Sequence, residues 1–332
     1  MNYDLAIEGQ EAKKPMSRNH GIAAMRYILA LSVVLLHALP RPDAQTPAWA
    51  ALIAVACRAA VPFFFIASGY FLSRRTGFSV DAVVKPLRRL VPIYLFWMAV
   101  YCVYFEAFVP DEWHWRLGDL LSGGAAFHLW FLPALALALV VVGVGLAVGW
   151  PVVTGIVCLL LWIFSLSRGA YNEVLHLPIS AGRGGTLIAP IYVYAGAMIS
   201  RRSISVTWRK AAFLVLASYT ALLAEEGLNA WVTGRGFLIS HDFLIATLPF
   251  GLCMFLLAKD LPQWQGWERL SKLGSVSLGV YASHVLFLRP LTAAIGNATP
   301  ISVLVVAVTV SLAATLSSLL LRRVKYVGDF VQ

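Results

Sequence analysis

The sequence predicts an all-α membrane protein, a single polytopic bundle of about ten transmembrane helices with both termini cytoplasmic. Three observations predict it. Of 332 residues 60% are hydrophobic and only 13% charged, with a mean hydropathy of +0.77, far outside the range of soluble domains. Apolar runs approaching the roughly 20 residues that a spanning helix needs recur along the chain. Basic residues gather in alternate connections between those runs, as cytoplasmic loops require.

In order, the candidate spans are 21–39, 49–72, 90–108, 129–148, 151–166, 186–199, 211–224, 243–258, 273–288 and 301–321. Residues 1–20 are polar and the first run holds Arg26 and His37, so it reads as an uncleaved span and not as a secretory signal. The sixth and seventh runs are the shortest. With residues 1–20 cytoplasmic, the inner connections hold Arg74, Arg75, Lys85, Arg88 and Arg89, then Arg201, Arg202, Arg209 and Lys210, then Lys259, Arg269 and Lys272, and finally Arg322, Arg323 and Lys325. The outer side holds only Arg41, Arg116, Arg168, Arg183, Arg235 and Arg289. This asymmetry accounts for the net charge of +10 by topology and lipid headgroups, without nucleic acid. The organisation is therefore a cytoplasmic tail (1–20), one membrane domain (21–323) and a second tail (324–332).

Arg26 and His37 are the most informative residues. An ionisable group inside a span costs at least about 2.5–3.5 kcal/mol near the bilayer centre and by default marks a functional site. Eleven residues make three turns plus about 20°, so the two share a helix face roughly 16 Å apart in height. A neutral imidazole suits proton transfer near neutrality; its other reading is a packing hydrogen bond between helices. For Arg26 the readings are an anion site entered from the cytoplasm and snorkelling to the inner interface. Arg58 lies roughly 13 Å down the second span and His284 roughly 16 Å up the ninth, so both are expected near His37. Arg58 also has a structural reading, an ion pair with an acid such as Glu225 or Glu226. Ser277, Tyr281 and His284 form one polar stripe at i, i+4 and i+7. His128 stands at the outer start of the fourth span beside Trp130, an aromatic-belt position. His241-Asp242 reads as an outer-loop polar pair.

Other chemistries lack their signatures. The four cysteines, Cys57, Cys102, Cys158 and Cys253, stand singly in apolar runs, without disulfide or metal-ligand spacing. Neither a metal-type histidine–carboxylate motif, a nucleophile-elbow Gly-x-Ser-x-Gly nor a phosphate-binding glycine loop occurs.

Several segments together resemble the acyltransferase-3 family of integral membrane acyltransferases, in particular its surface-polysaccharide O-acetyltransferase branch. Arg26 and His37 match the Arg-x10-His pattern of its first span. Residues 61–72 (VPFFFIASGYFL) are similar to its second-span signature and 88–94 (RRLVPIY) to the basic start of its third. Residues 128–132 (HLWFL) and 279–284 (GVYASH) are similar to its fourth-span and late-helix motifs. The resemblance implies transfer of an acyl group, most often acetyl from acetyl-coenzyme A, to a hydroxyl of a lipid-linked or surface glycan at a bacterial inner membrane. The coenzyme is a donor substrate, with no permanently bound cofactor and no metal. Arg74, Arg75, Lys85, Arg88 and Arg89, with Arg26, would hold the donor phosphates; His37 would be general base or transient acyl acceptor; Arg58, Tyr281, His284 and His128 would position the acceptor or stabilise the oxyanion.

A competing class is a secondary transporter, which shares ten spans, inner termini and a buried polar site. The topology has its own test. In a cysteine-free background, cysteines placed between residues 109 and 128 are expected to react with an impermeant reagent from outside, and those between 203 and 210 are not; the reverse pattern would overturn the inner donor site.

Overall fold

The computed structural model describes residues 19–40, 46–75, 80–109, 118, 122–124, 126–178, 185–234, 241–262 and 264–331. Twelve α-helices lie among these residues: α1 (His20–Ala38), α2 (Ala48–Cys57), α3 (Ala60–Arg75), α4 (Val80–Phe108), α5 (Phe131–Ala147), α6 (Pro151–Arg168), α7 (Ala189–Arg201), α8 (Trp208–Thr233), α9 (Thr247–Lys259), α10 (Gln265–Leu273), α11 (Ser277–Ile295) and α12 (Pro300–Leu321). The helices α2 and α3 form one bent pass, as do α10 and α11, so the described residues make ten passes. Eight passes are long and apolar enough to cross a membrane. Large apolar side chains such as Val103, Phe213 and Trp231 face outward, where a bundle in lipid places them.

Local chemistry sets the helix ends. Asn19 caps α1, its side chain accepting from the Ile22 N–H at 2.9 Å, a standard use of asparagine. Pro151 and Pro300 open α6 and α12, where a missing N–H is harmless. Pro62 has no N–H for the Arg58 carbonyl four residues earlier, and the second pass breaks at Arg58 and Ala59.

Contacts between helix ends define two faces. The start of α1, the end of α9 and the α10–α11 junction meet where Asn19 Nδ2 donates to the Lys259 carbonyl at 2.9 Å and His20 Nδ1 lies 2.9 Å from Ser271 Oγ. Arg322 at the end of α12 reaches Ser275 Oγ at 3.0 Å, and Asp260 accepts from Ser205 and Val206 in the α7–α8 connection. This is the basic face. At the opposite face Asn297 Nδ2 donates to the Leu39 carbonyl at 3.2 Å.

Two spans differ from expectation. The seventh is not short: α8 runs 26 residues. Glu225, Glu226 and Asn229 interrupt its apolar run, but Glu226 and Asn229 are buried and the helix continues through them. The eighth is short, with α9 only 13 residues long; the non-helical residues before it are hydrogen-bonded to those carboxylates. The sixth pass, α7, is short as expected, at 13 residues.

Residues 328–331, within the C-terminal tail, pack against the bundle. Phe330 stacks on Phe96 at 4.5 Å, Trp97 Nε1 donates to the Phe330 carbonyl at 2.9 Å, and Val331 is fully buried against Gly279. Residues 1–18 lie outside the described residues.

The closest helix pair is α3 with α7. A Cβ at Gly69 would overlap the Val193 carbonyl, and one at Gly196 would overlap the Ile66 carbonyl, so each helix gives its neighbour a backbone surface, as small residues do in membrane bundles. Gly69→Ala and Gly196→Ala are each expected to cost about 1–3 kcal/mol by overpacking, read as a lower melting temperature in detergent. Gly149→Ala, where an added Cβ has no neighbour within 4 Å among the described residues but φ is +83°, is the control for backbone strain without overlap, and a silent Gly69→Ala would contradict the close approach.

Candidate functional site

Three histidines from distant parts of the sequence meet near the end of the bundle opposite the basic face. His37 stands one residue from the end of α1, His284 two turns into α11, and His128 in the 3-10 turn Phe127–Trp130 that leads into α5. The His37 and His284 rings are nearly parallel with centroids 5.4 Å apart, and His128 meets His284 edge-on at 5.0 Å. Phe127 packs edge-on against His37 at 5.1 Å, and Tyr101 of α4 against His128 at 5.0 Å. His284 is 0% and His128 2% exposed; His37 is only partly buried.

Backbone carbonyls fix the rings. Ala282 O accepts from Tyr101 OH at 2.8 Å and lies 3.1 Å from His128 Nε2. Tyr281 OH donates to the His128 carbonyl, and His284 Nδ1 lies 2.6 Å from the Tyr281 carbonyl. A carbonyl only accepts, so the hydrogens sit on His128 Nε2 and His284 Nδ1. The α11 turn 281–284 is thus stitched to α4 and to the start of α5. Each bond is worth about 0.5–1.5 kcal/mol net, but leaving its buried acceptor bare costs about 1–3 kcal/mol.

Tyr281, His128 and His284 were expected to position the acceptor or stabilise an oxyanion; in the structure each directs a hydrogen to a backbone carbonyl. The neighbouring rings also restrict charge: two imidazolium ions 5.4 Å apart would repel by about 3 kcal/mol at an effective dielectric of about 20. Charge on one ring of the His37–His284 pair therefore opposes charge on the other.

Arg26 lies on the same unbroken helix as His37, roughly 16 Å nearer the basic face. Lys85, Arg88 and Arg89 are exposed on the first turns of α4, beyond the buried Leu90, Ile93 and Tyr94. The side chains of Arg74 and Arg75 lie outside the described residues.

Arg58 has a different neighbour from the one expected. Its Nη1 is 2.5 Å from Asp242 Oδ1, with side chains 14% and 28% exposed, so its acid is neither Glu225 nor Glu226. Those two cap the approach to α9: Glu226 accepts from the His241 backbone N–H at 2.7 Å and faces His241 Nδ1 at 2.8 Å, while Glu225 accepts from the backbone N–H groups of Ile245 and Ala246 and from Tyr171 OH. Burial and the hydrogen bond to Glu225 hold the Tyr171 phenol well above its usual range. His241-Asp242, read as an outer-loop pair, is a structural junction.

Sequence reasoning missed Tyr101 and the inward turn of His128. The signal for Tyr101 was present: Trp97, Tyr101 and Phe105 recur at four-residue steps on α4, and a hydroxyl on a buried aromatic stripe needs a partner.

The Arg58–Asp242 pair is testable. Arg58→Met and Asp242→Leu are each expected to lower the melting temperature, because each leaves a partly buried charge behind, and the double variant to lose less than the sum, with a coupling of about 0.5–3 kcal/mol. Strictly additive losses would show that the pair does not hold α9 in place.

Comparisons with known proteins place the fold in a family. Residues 19–322 match the family described as "Acyltransferase domain" (Acyl_transf_3). A serine/alanine racemase of Enterococcus gallinarum is 26% identical over 290 residues, covering 80% of this chain and 40% of the relative. Two amino-acid racemases of Enterococcus faecalis are 26% and 25% identical over 293 residues each, covering 80% and 81% of this chain and 39% and 41% of theirs. The chain thus spans about two fifths of the length of these relatives. No solved structure matches it. With the match running from the cap of α1 to the end of α12, the chain belongs to the acyltransferase-3 family, as a multi-pass membrane protein.

Proposed function

We propose that the protein is an O-acyltransferase of a bacterial inner membrane, moving an acetyl group from acetyl-coenzyme A to a hydroxyl of a lipid-linked or surface sugar. The observation that carries this reading is the separation of two sites along α1. His37 joins two further imidazoles at one end of the bundle, while Arg26, on the same helix face, stands roughly 16 Å nearer the basic face. A donor with its phosphates at the basic face and its thioester extended inward spans such a distance. Arg26 and the α4 cations Lys85, Arg88 and Arg89, with Arg74 and Arg75 at the end of α3, supply charge for the phosphates. His37, the partly exposed ring, engages the thioester as base or transient acyl acceptor. Tyr281, His128 and Tyr101 act on the acceptor side by holding the rings in place.

A second reading comes from the relatives' names. They are racemases of serine, alanine or other amino acids, so an amino acid is a second class of acceptor, and serine also offers a hydroxyl. Glycan mass analysis with and without the intact gene, alongside an in vitro panel of sugars, serine and alanine, separates the two. Loss of a glycan acetyl group supports the sugar reading, and acetylation of serine alone supports the other. Substrate flux with no acyl product would instead favour transport.

Two variants test the machinery. His37→Ala and His37→Gln are expected to abolish acyl transfer with the protein inserted and folded, and normal transfer by both would remove His37 from the mechanism. Arg26→Lys keeps the charge but loses the bidentate fork, and is expected to weaken donor affinity and turnover. A lysine variant equal to wild type, with Arg26→Ala impaired only in protein level, would make Arg26 a helix anchor. The measurements are donor affinity and acetyl transfer in nanodiscs.

A further inference from the structure

His284 carries a basic nitrogen with no hydrogen-bond partner. Its Nδ1 hydrogen points to the Tyr281 carbonyl, so in the neutral ring Nε2 bears the lone pair, and Nε2 is buried with no hydrogen-bond partner among the described residues. Buried polar atoms are nearly always paired, and an exception asks for an explanation. Packing does not provide one. The turn that carries His284 is held by Tyr101 and His128 through Ala282, the ring lies against His37, and α11 continues past it to Ile295. The ring is oriented, its hydrogen assigned, and its second nitrogen left buried and unpaired beside the histidine already given to the donor.

We propose that His284 Nε2 is the general base for the acceptor hydroxyl; the inference rests on the acyl-transfer reading above. The acceptor O–H bond breaks and its proton goes to Nε2. The oxygen bonds to the acyl carbon, and the bond from that carbon to its carrier, the thioester sulfur or a His37 nitrogen that has accepted the acyl group, breaks with its electron pair on the carrier atom. The imidazolium of His284 then returns the proton to that atom. With the two rings stacked at 5.4 Å, a proton on His284 repels a second one on His37. The two histidines thus divide the reaction: His37 serves the donor and His284 the acceptor.

The experiment compares nucleophiles that need a base with one that does not. Protein in nanodiscs receives acetyl-coenzyme A with methyl glucoside, and separately with hydroxylamine, whose nitrogen attacks without first losing a proton. Acetyl passed to oxygen is read as acetate plus acetylated methyl glucoside, and acetyl passed to nitrogen as acetohydroxamate. His284→Gln is expected to lower transfer to oxygen by about 10²–10⁴-fold, the usual worth of a general base, while hydroxamate formation stays within about threefold of wild type. His37→Gln loses both. His284→Asn is read in parallel, so that a folding defect in one variant does not decide the outcome. Transfer to oxygen at the wild-type rate, or parallel loss of both products in both His284 variants, would overturn the proposal. A wild-type protein that yields neither product would instead remove the acyl-transfer reading itself.

Discussion

The carbonyl of Ala282 is the point on which the site depends. Inside a membrane no bulk water completes a polar group, so each donor and acceptor near the histidines has to find its partner in the protein. Tyr101 and His128 both direct a hydrogen to that one oxygen, Tyr281 returns one to the His128 carbonyl, and His284 takes the next carbonyl along. Three passes that touch only locally are thereby fixed around one turn of α11. The tautomers follow from the same bonds, so the backbone decides which nitrogen of each ring remains basic.

The same constraint explains a second polar cluster, ahead of α9. The non-helical stretch ahead of α9 would leave bare N–H groups, and Glu225 and Glu226 accept them from the neighbouring α8. These carboxylates make a 13-residue helix tolerable in place of a full pass. Arg58 is drawn into this assembly by Asp242, at the point where Pro62 has opened the second pass. What reads along the chain as scattered intramembrane charge is a local substitute for backbone pairing.

Much of the architecture was legible because it follows from composition and periodicity. Ten passes were readable as ten apolar runs, and α1 as the carrier of Arg26 and His37, because helix geometry alone puts residues eleven apart on one face. The stripe ending at His284 was legible for the same reason. His128 was harder, since a histidine beside a tryptophan at the end of an apolar run has the signature of an interfacial residue; only the 3-10 turn carries it inward. The partner of Arg58 is 184 residues away, and local sequence says nothing about which of three nearby acids is within reach. The length of α8 was misread because carboxylates in a run look like its end when their partners are unknown.

Two of the rungs across the seam between α4 and α11 differ in kind, and one of them is the strap formed by residues 328–331. The upper rung is the Tyr101–Ala282 bond. The lower is Phe330 and Val331, lodged between Phe96, Trp97 and Gly279, with Gly279 about 7.5 Å of helix rise below His284. Sliding α4 along α11 has to strain both rungs, but spreading the two helices from the basic face meets an aromatic stack and one hydrogen bond before it meets the buried polar knot. The seam thus changes in kind along its length, from aromatic and apolar packing near the basic face to a buried polar knot at the histidines.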